Sequence, residues 1–593
     1  MKMSRSWRRN TALLVLVALP ACASPQQVPA ALPPWQTTAF ALPQQASAPG
    51  WNPQQEAGVC AHFAVATAHP LATRAAEQAL KDCGSAVDAL VAASLVLTVV
   101  APQSTGIGGG GFAVVVDGTG KKPPQAFDFR ETAPAATQLP EYLGKDGRAI
   151  AEKSRWGGLA VGVPGYVAGL WTLHRQYGRL PWKQLAQPAS DLAARGFPVG
   201  RDLGKAIALM TPHLNPAALA IYAPEGKPLK EGDVLRQPAL ARTLQRIANE
   251  GPGVFYHGAI ADDLVEAVQA AGGHLTREDL AGYEVRTLAP LQGQVFGMQA
   301  VTMPQPSAGG AQVLAMAETL DRYKPALLFN TDQGITAHVL IEAMRRSFVL
   351  RLAFTGDAAH PAGTLDEAFA PAARTSLNET LDLAHATPTA QLPKVSGTLE
   401  TGHNTSHVAI LDGRGLAVAS THTVNLLLGS GVMAARTGIL LNDEMDDFSF
   451  TTQDQNAFGL QGSAANLVRP GARPVSSMSP VILTRDGQPV LVAGTPGGTH
   501  IPTTVLQILA WRWRGGLTLA QAMAHPRVHH QALPDVAEVE NGPAGDEVAA
   551  ELQKRGHTVV RKPAWCNAQA VEVNQGVLSA VSDPRGEGGA IAR

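Results

Sequence analysis

The stretch Gly402-His-Asn-Thr-Ser-His-Val-Ala409 (GHNTSHVA) separates two textures of chain. Upstream runs LAHATPTAQLPKVSGTLET, a Pro-, Gly- and Thr-rich connector without hydrophobic periodicity. Downstream, SHVAILD, GRG and LAVASTHTVN read as strand, turn, strand. Thr405 therefore opens a strand directly after a flexible connector. One reading is a β-branched residue at home in a sheet. The other is a threonine that becomes an N-terminus. A threonyl hydroxyl is a weak nucleophile, and a free α-amine on the same residue, with a pKa of about 7.7–8.0, supplies the base it lacks. That reading requires cleavage between Asn404 and Thr405. The hydroxyl can cut its own chain by attacking the preceding carbonyl, giving an ester that water resolves.

The rest of the chain sets the context. Its 593 residues suffice for a large core. Hydrophobic and charged contents of 45% and 16% are ordinary for a globular protein. A formal net charge of −1 gives no reason to expect nucleic acid or an anionic membrane as partner. The start, MKMSRSWRRNTALLVLVALPACAS, has a basic front and an apolar run from Ala12 to Leu19 too short to span a bilayer. It reads as an export signal, residues 1–23. Leu19-Pro20-Ala21-Cys22 is similar to a lipobox that would put a lipid on Cys22; ordinary cleavage before Ser24 fits as well. The expected location is the bacterial periplasm, free or anchored through Cys22. Cys60 and Cys83 can form a disulfide in such a compartment, or they and Cys566 can be small buried residues.

Residues 24–55, rich in Pro, Gln and Ala, read as an unfolded tether. Order is expected from near Gly58. The segment HPLATRAAEQALKDCGSAVDALVAASLVLTVVAPQ reads as two helices broken at Gly84, the second apolar on nearly every face and so buried. Gly106-Ile-Gly108-Gly-Gly-Gly111 matches G-x-G-x-x-G. A helix precedes it and the strand FAVVV follows, the reverse of a dinucleotide fingerprint. A tight backbone crossing is the better reading. PVILTRDGQPVLVAG is a second hairpin turned at Asp486-Gly487. Helices and strands both recur, so the class is α+β or a layered sandwich.

Five further blocks carry a resemblance: FDFRETAP at 127–134, GVPGYVAGL at 162–170, LLNDEMDDFS at 440–449, RPVSSMSP at 473–480 and GTPGGTHI at 494–501. With the run from Thr405, they resemble in order the blocks of the γ-glutamyltransferases, a family of N-terminal-nucleophile hydrolases. The resemblance extends from about Gly58 to the C-terminus. It implies a four-layer αββα sandwich built from two subunits of one chain, a large one (56–404) and a small one (405–593) beginning with the nucleophile. It also implies the substrates: glutathione and other γ-glutamyl compounds, with water or amino-acid and dipeptide acceptors, and no cofactor.

The implied roles make chemical sense. Arg130 would grip the substrate α-carboxylate, a task for a bidentate guanidinium, with Ser476 and Ser477 adding hydroxyl donors. Asn425, Glu444 and Asp447 would hold the α-ammonium. A zwitterion needs both poles met, so such a cradle selects an amino-acid head group. Gly497 and Gly498 would offer backbone N–H groups to the oxyanion, and Thr423 would orient Thr405. His525, His529 and His530, in HPRVHH, fit no standard metal-ligand spacing, and no metal is expected. The chain departs from the family at Ser406 and Ala409, where Thr-Thr-His-x-Ser is more usual. It departs again at Phe458, where related lid loops often carry Tyr; Phe lacks the hydroxyl's hydrogen bond. Two other readings stand beside the transferase. One is a β-lactam or glutaryl acylase on the same scaffold. The other is an uncleaved homologue that binds γ-glutamyl peptides without turning them over.

Overall fold

The computed structural model describes residues 42, 45–51, 60–329, 333–354, 356–357, 378–388, 391–392 and 405–593. The export signal, most of the tether and residues 393–404 lie outside the described residues.

Alternation along the nucleophile hairpin decides the layering. In strands Ser406–Asp412 and Leu416–Thr423, Val408, Ile410 and Val418 point one way. Ala409, Leu411, Ala417 and Ala419 point the other, as a two-residue period requires. Both sets are apolar, so the sheet must be covered on both faces. Seven strands form it, in the order Gly589–Ala592, Phe63–Thr67, Ser406–Asp412, Leu416–Thr423, Gly110–Asp117, Gln125–Asp128, Arg286–Leu288. Its outer face packs on helix Ala86–Val100, all of whose residues are buried, as its uninterrupted apolar sequence predicts. Ser85 and Asp88 cap that helix reciprocally, and Ala86 N–H donates to Asp412 at 2.9 Å, tying the hairpin turn to the helix start.

A second seven-stranded sheet faces the first, in the order Ala46–Ala48, Val577–Ser582, Gln569–Asn574, Gln488–Gly494, Val481–Arg485, Met298–Thr302, Leu291–Val295. Small and branched side chains fill the space between the sheets: Ala64, Ala66, Val114 and Ala419 from one, Val301, Ile482, Val492 and Ala580 from the other. Helices Gly309–Asp321 and His500–Trp513 cover the outer face of the second sheet. The result is the expected αββα sandwich. Asp486 and Gly487, with φ of 52° and 78°, make the hairpin turn read at that dipeptide.

The glycine run works as a crossing. A Cβ on Gly109 would lie 2.2 Å from the carbonyl oxygen of Thr423, so only glycine lets this segment seal the end of the nucleophile hairpin. One expectation is corrected. The proposed tether, 24–55, contains an ordered stretch: Ala46–Ala48 pairs antiparallel with Val577–Ser582, Ala46 opposite Ala580. Trp51 N–H also donates to the Gly576 carbonyl at 3.1 Å. Three small residues carry almost no side-chain signal; the strand exists because a sheet edge accepts its backbone. Cys60 and Cys83 are joined in a disulfide, their Cα atoms 4.9 Å apart.

Candidate active site

Thr405 sits one residue before a central strand, and its side chain is almost fully buried. The register pairs Ser406 with His422, which brings Thr405 beside Thr423. The Thr405 hydroxyl points at Thr423 Oγ1, 3.5 Å away. Thr423 Oγ1 accepts from the Asn425 backbone N–H at 2.8 Å. His407, two residues along on the same face, is held at Nδ1 by Thr421 Oγ1 at 2.9 Å. Burial pushes its pKa down to about 3, so it is neutral at working pH.

Gly497 and Gly498 follow strand Gln488–Gly494 and lead into helix His500–Trp513. Their φ values, 132° and 56°, belong to glycine. The start of that helix favours negative charge nearby. Each glycine is pressed by a neighbour. A Cβ on Gly497 would lie 2.3 Å from Cys566 Sγ, and one on Gly498 would lie 2.6 Å from the Phe458 ring. Phe458 therefore covers the second glycine, packed with Phe348, Leu460 and Ala532. Cys566 is buried and its thiol is pushed up to about 11, so it stays protonated.

A charged pocket adjoins this centre. Arg130, at the end of strand Gln125–Asp128, is fully buried and bonded at every nitrogen. Nε donates to the Pro474 carbonyl at 2.8 Å and Nη2 to the Val475 carbonyl at 2.9 Å. Nη1 pairs with Glu444 and Nη2 with Asp447. The residues expected to meet opposite poles of a substrate thus meet one another here. Glu444 keeps one oxygen, Oε2, buried without a partner. The neighbouring Glu131 keeps both oxygens so. Burial and the charge of Glu444 raise Glu131 well above the usual carboxylate range.

Hydrogen bonds connect the two regions along two routes. Asn425, at φ 73°, donates its amide to the Asp443 carbonyl at 3.0 Å, which turns its Oδ1 away as an acceptor. Asp443 precedes Glu444 on the short helical turn Glu444–Asp447. On the other side, Asn456 donates to Asp447 at 3.2 Å and accepts from the Phe458 N–H at 3.0 Å. Ser476 Oγ accepts from Met478 N–H at 3.1 Å and Ser477 Oγ from Arg351 at 2.6 Å. Both serines therefore keep an O–H to donate. Arg351 escaped the sequence reading: its only signal was helical spacing in AHVLIEAMRRSFVLRLAF.

The three histidines of HPRVHH do not converge. His529 stacks on His500 with centroids 3.9 Å apart, His530 meets Asp535 at 3.2 Å, and His525 stacks on Trp511. Among the described residues, His338, Glu342 and His557 bring possible ligand atoms together. The Glu342 carboxylate is already taken by Arg345, Arg346 and Thr387.

A double-sheet sandwich with a buried threonine at the head of a central strand defines an N-terminal-nucleophile hydrolase. The family model described as Gamma-glutamyltranspeptidase matches residues 72–593. A glutathione hydrolase proenzyme of Pseudomonas aeruginosa is 40% identical over 541 residues, covering 88% of this chain and 93% of that protein. One of Escherichia coli is 37% identical over 528 residues, covering 88% and 90%. Among solved structures, a cephalosporin acylase from Bacillus halodurans aligns with a TM-score of 0.78 at 26% identity, over 89% of this chain and 95% of that one. The γ-glutamyltranspeptidase of Helicobacter pylori aligns with a TM-score of 0.52 at 30% identity, over 55% and 93%. The chain belongs to the γ-glutamyltranspeptidase family.

Proposed function

We infer that this chain is a self-processing γ-glutamyltransferase and glutathione hydrolase. One observation carries the reading: the Thr405 hydroxyl, its neighbour Thr423 and the Arg130–Glu444–Asp447 cluster form one buried, hydrogen-bonded site. Thr405 Oγ attacks the Asn404 carbonyl, and water hydrolyses the ester, leaving a carboxylate on 404 and a free amine on Thr405. The same hydroxyl then attacks the γ-carbonyl of glutathione or a related amide, passing its proton to the new α-amine. Gly497 and Gly498 N–H groups stabilise the oxyanion. The amine returns the proton to the leaving nitrogen as the C–N bond breaks. Water or an acceptor amine then takes the γ-glutamyl group from Thr405.

Arg130, Ser476 and Ser477 receive the α-carboxylate; Asn425, Glu444 and Asp447 receive the α-ammonium. The substrate's two charges exchange with the Arg130–Glu444 and Arg130–Asp447 ion pairs. The basic, apolar leader and the Cys60–Cys83 disulfide support an exported enzyme, with the periplasm as its place and Cys22 as a candidate lipid anchor.

The test is the intact mass and N-terminal residue of each fragment of the purified protein. Two fragments, the smaller beginning at Thr405, are expected. Thr405→Ala should remain one chain and lose at least about 10⁴-fold in turnover; wild-type turnover in that variant refutes the assignment. An uncut, inactive wild type points to the binding homologue instead. The likeness to a cephalosporin acylase favours a second reading, an acylase for glutaryl amides. Such substrates lack the ammonium that Glu444 and Asp447 would hold. Glutaryl-p-nitroanilide should therefore react far more slowly than γ-glutamyl-p-nitroanilide, and the reverse order supports the acylase.

A further inference from the structure

Arg351 lies near the end of helix Gln333–Phe354, ahead of the cleavage point, and is fully buried. Nη1 donates to Ser477 Oγ at 2.6 Å and to Gln312 Oε1 at 3.3 Å. Phe348, one turn earlier on the same face, places its ring centroid 5.9 Å from the guanidinium and packs with Phe458. Beyond the helix, Asp357 accepts from Arg286 at 2.6 Å and from the Arg473 N–H at 3.0 Å. That second bond ties Asp357 to the segment 473–477. Arg351 also lines a cavity of about 40 Å³ together with Asp447, Asn456 and Val475.

The charges around the pocket give this placement a meaning. Arg130 faces two carboxylates, Glu444 and Asp447. Asp446 is taken by Arg155 at 3.5 Å and Ser154 at 2.6 Å. Burial pushes the carboxyls of Glu131 and Asp443 well above the usual carboxylate range. The Ser477 hydroxyl, held as an acceptor by Arg351, is a directed donor for a carboxylate, which a bare cation cannot use. Arg351 and Asp447 line the same cavity.

Building on the γ-glutamyl reading, we propose that Arg351 is a positioning residue that makes the pocket select a zwitterionic head group over a merely cationic one. It occupies the Ser477 oxygen as an acceptor, so the Ser477 proton is donated to the α-carboxylate.

The experiment compares three anilides on the wild type, Arg351→Gln, Arg351→Lys, Ser477→Ala and the Arg351→Gln/Ser477→Ala double variant. The probes are γ-glutamyl-p-nitroanilide, 4-aminobutyryl-p-nitroanilide, which lacks the α-carboxylate, and glutaryl-p-nitroanilide, which lacks the ammonium. Arg351→Gln should lower kcat/KM for the γ-glutamyl probe by about tenfold or more, mostly through KM, because a charge-assisted hydrogen bond is lost. The 4-aminobutyryl probe should change less than about twofold. Arg351→Lys should recover part of the loss, and the double variant should lose less than the product of the singles. Equal losses on the γ-glutamyl and 4-aminobutyryl probes, or multiplicative losses in the double variant, overturn the proposal. If Arg351→Gln fails to self-process, the probe ratio of Arg351→Lys decides: unchanged from wild type, it overturns the proposal. A wild type inactive on the γ-glutamyl probe defeats the underlying reading instead.

Discussion

The reaction centre and the head-group pocket lie side by side and are built from opposite materials. Around Thr405 the groups are neutral: two threonines, a histidine held neutral by burial and, in the proposed reaction, the backbone N–H groups of Gly497 and Gly498. Around Arg130 they are ionic, and every guanidinium nitrogen is bonded. The division follows from what each has to do. Charge that develops only during reaction is best met by fixed dipoles, which cost nothing to reorganise. Charge already on a substrate is best met by ions, provided they have partners while the pocket is empty.

Substitutions can test that division, beginning with the largest effect expected short of removing Thr405. Gly498→Ala places a methyl 2.6 Å from the Phe458 ring at a φ of 56°. It should lower kcat by about 10²-fold or more with little change in KM for γ-glutamyl-p-nitroanilide; a pure KM effect would move the glycine into the binding region. Arg130→Lys keeps the charge but loses the fork, so kcat/KM should fall by roughly 10- to 100-fold, carried by KM, with self-cleavage intact. Loss of cleavage in that variant would blur the boundary between the two regions.

The pH profile is subtler. Burial lifts the Glu444 carboxyl to about 7, against the pull of Arg130. A group raised in this way is neutral below that value and anionic above it. Ammonium capture should therefore strengthen, and KM fall, as pH rises through about 7. Glu444→Gln should flatten that limb in steady-state kinetics at pH 5.5 to 8.5, a span of about 1.5 on each side of the midpoint. The smallest effect is expected from Ser476→Ala, one hydroxyl among several donors: about a two- to fivefold rise in KM.

Much of this molecule could be read before its structure was known, for reasons that differ by region. The nucleophile hairpin and the Asp486-Gly487 turn are local patterns, and local physics forms them. The six family-like blocks carried the candidate site because each presents its side chains from one short segment. Three features were illegible. Ala46–Ala48 becomes a strand through an edge hundreds of residues away. Arg351 reads as one more helical position until Ser477 is seen beside it. Glu131 reads as a solvated carboxylate until its burial is known. Each depends on a tertiary neighbour, and pattern along the chain does not encode such neighbours.

Cleavage at Thr405 would leave its hairpin pinned between two strands of the other fragment, Phe63–Thr67 on one side and Gly110–Asp117 on the other. Val481–Arg485 is bound in the same way to Met298–Thr302. The cut would release one covalent bond and no interface, so the pieces should stay together indefinitely under native conditions. Reassembly after full denaturation would be different: a first-order event for the precursor becomes a second-order encounter between two chains, opposed by dilution. The mature protein would then be stable mainly because it comes apart slowly. Its lifetime, more than its equilibrium, would be the quantity that heat shortens.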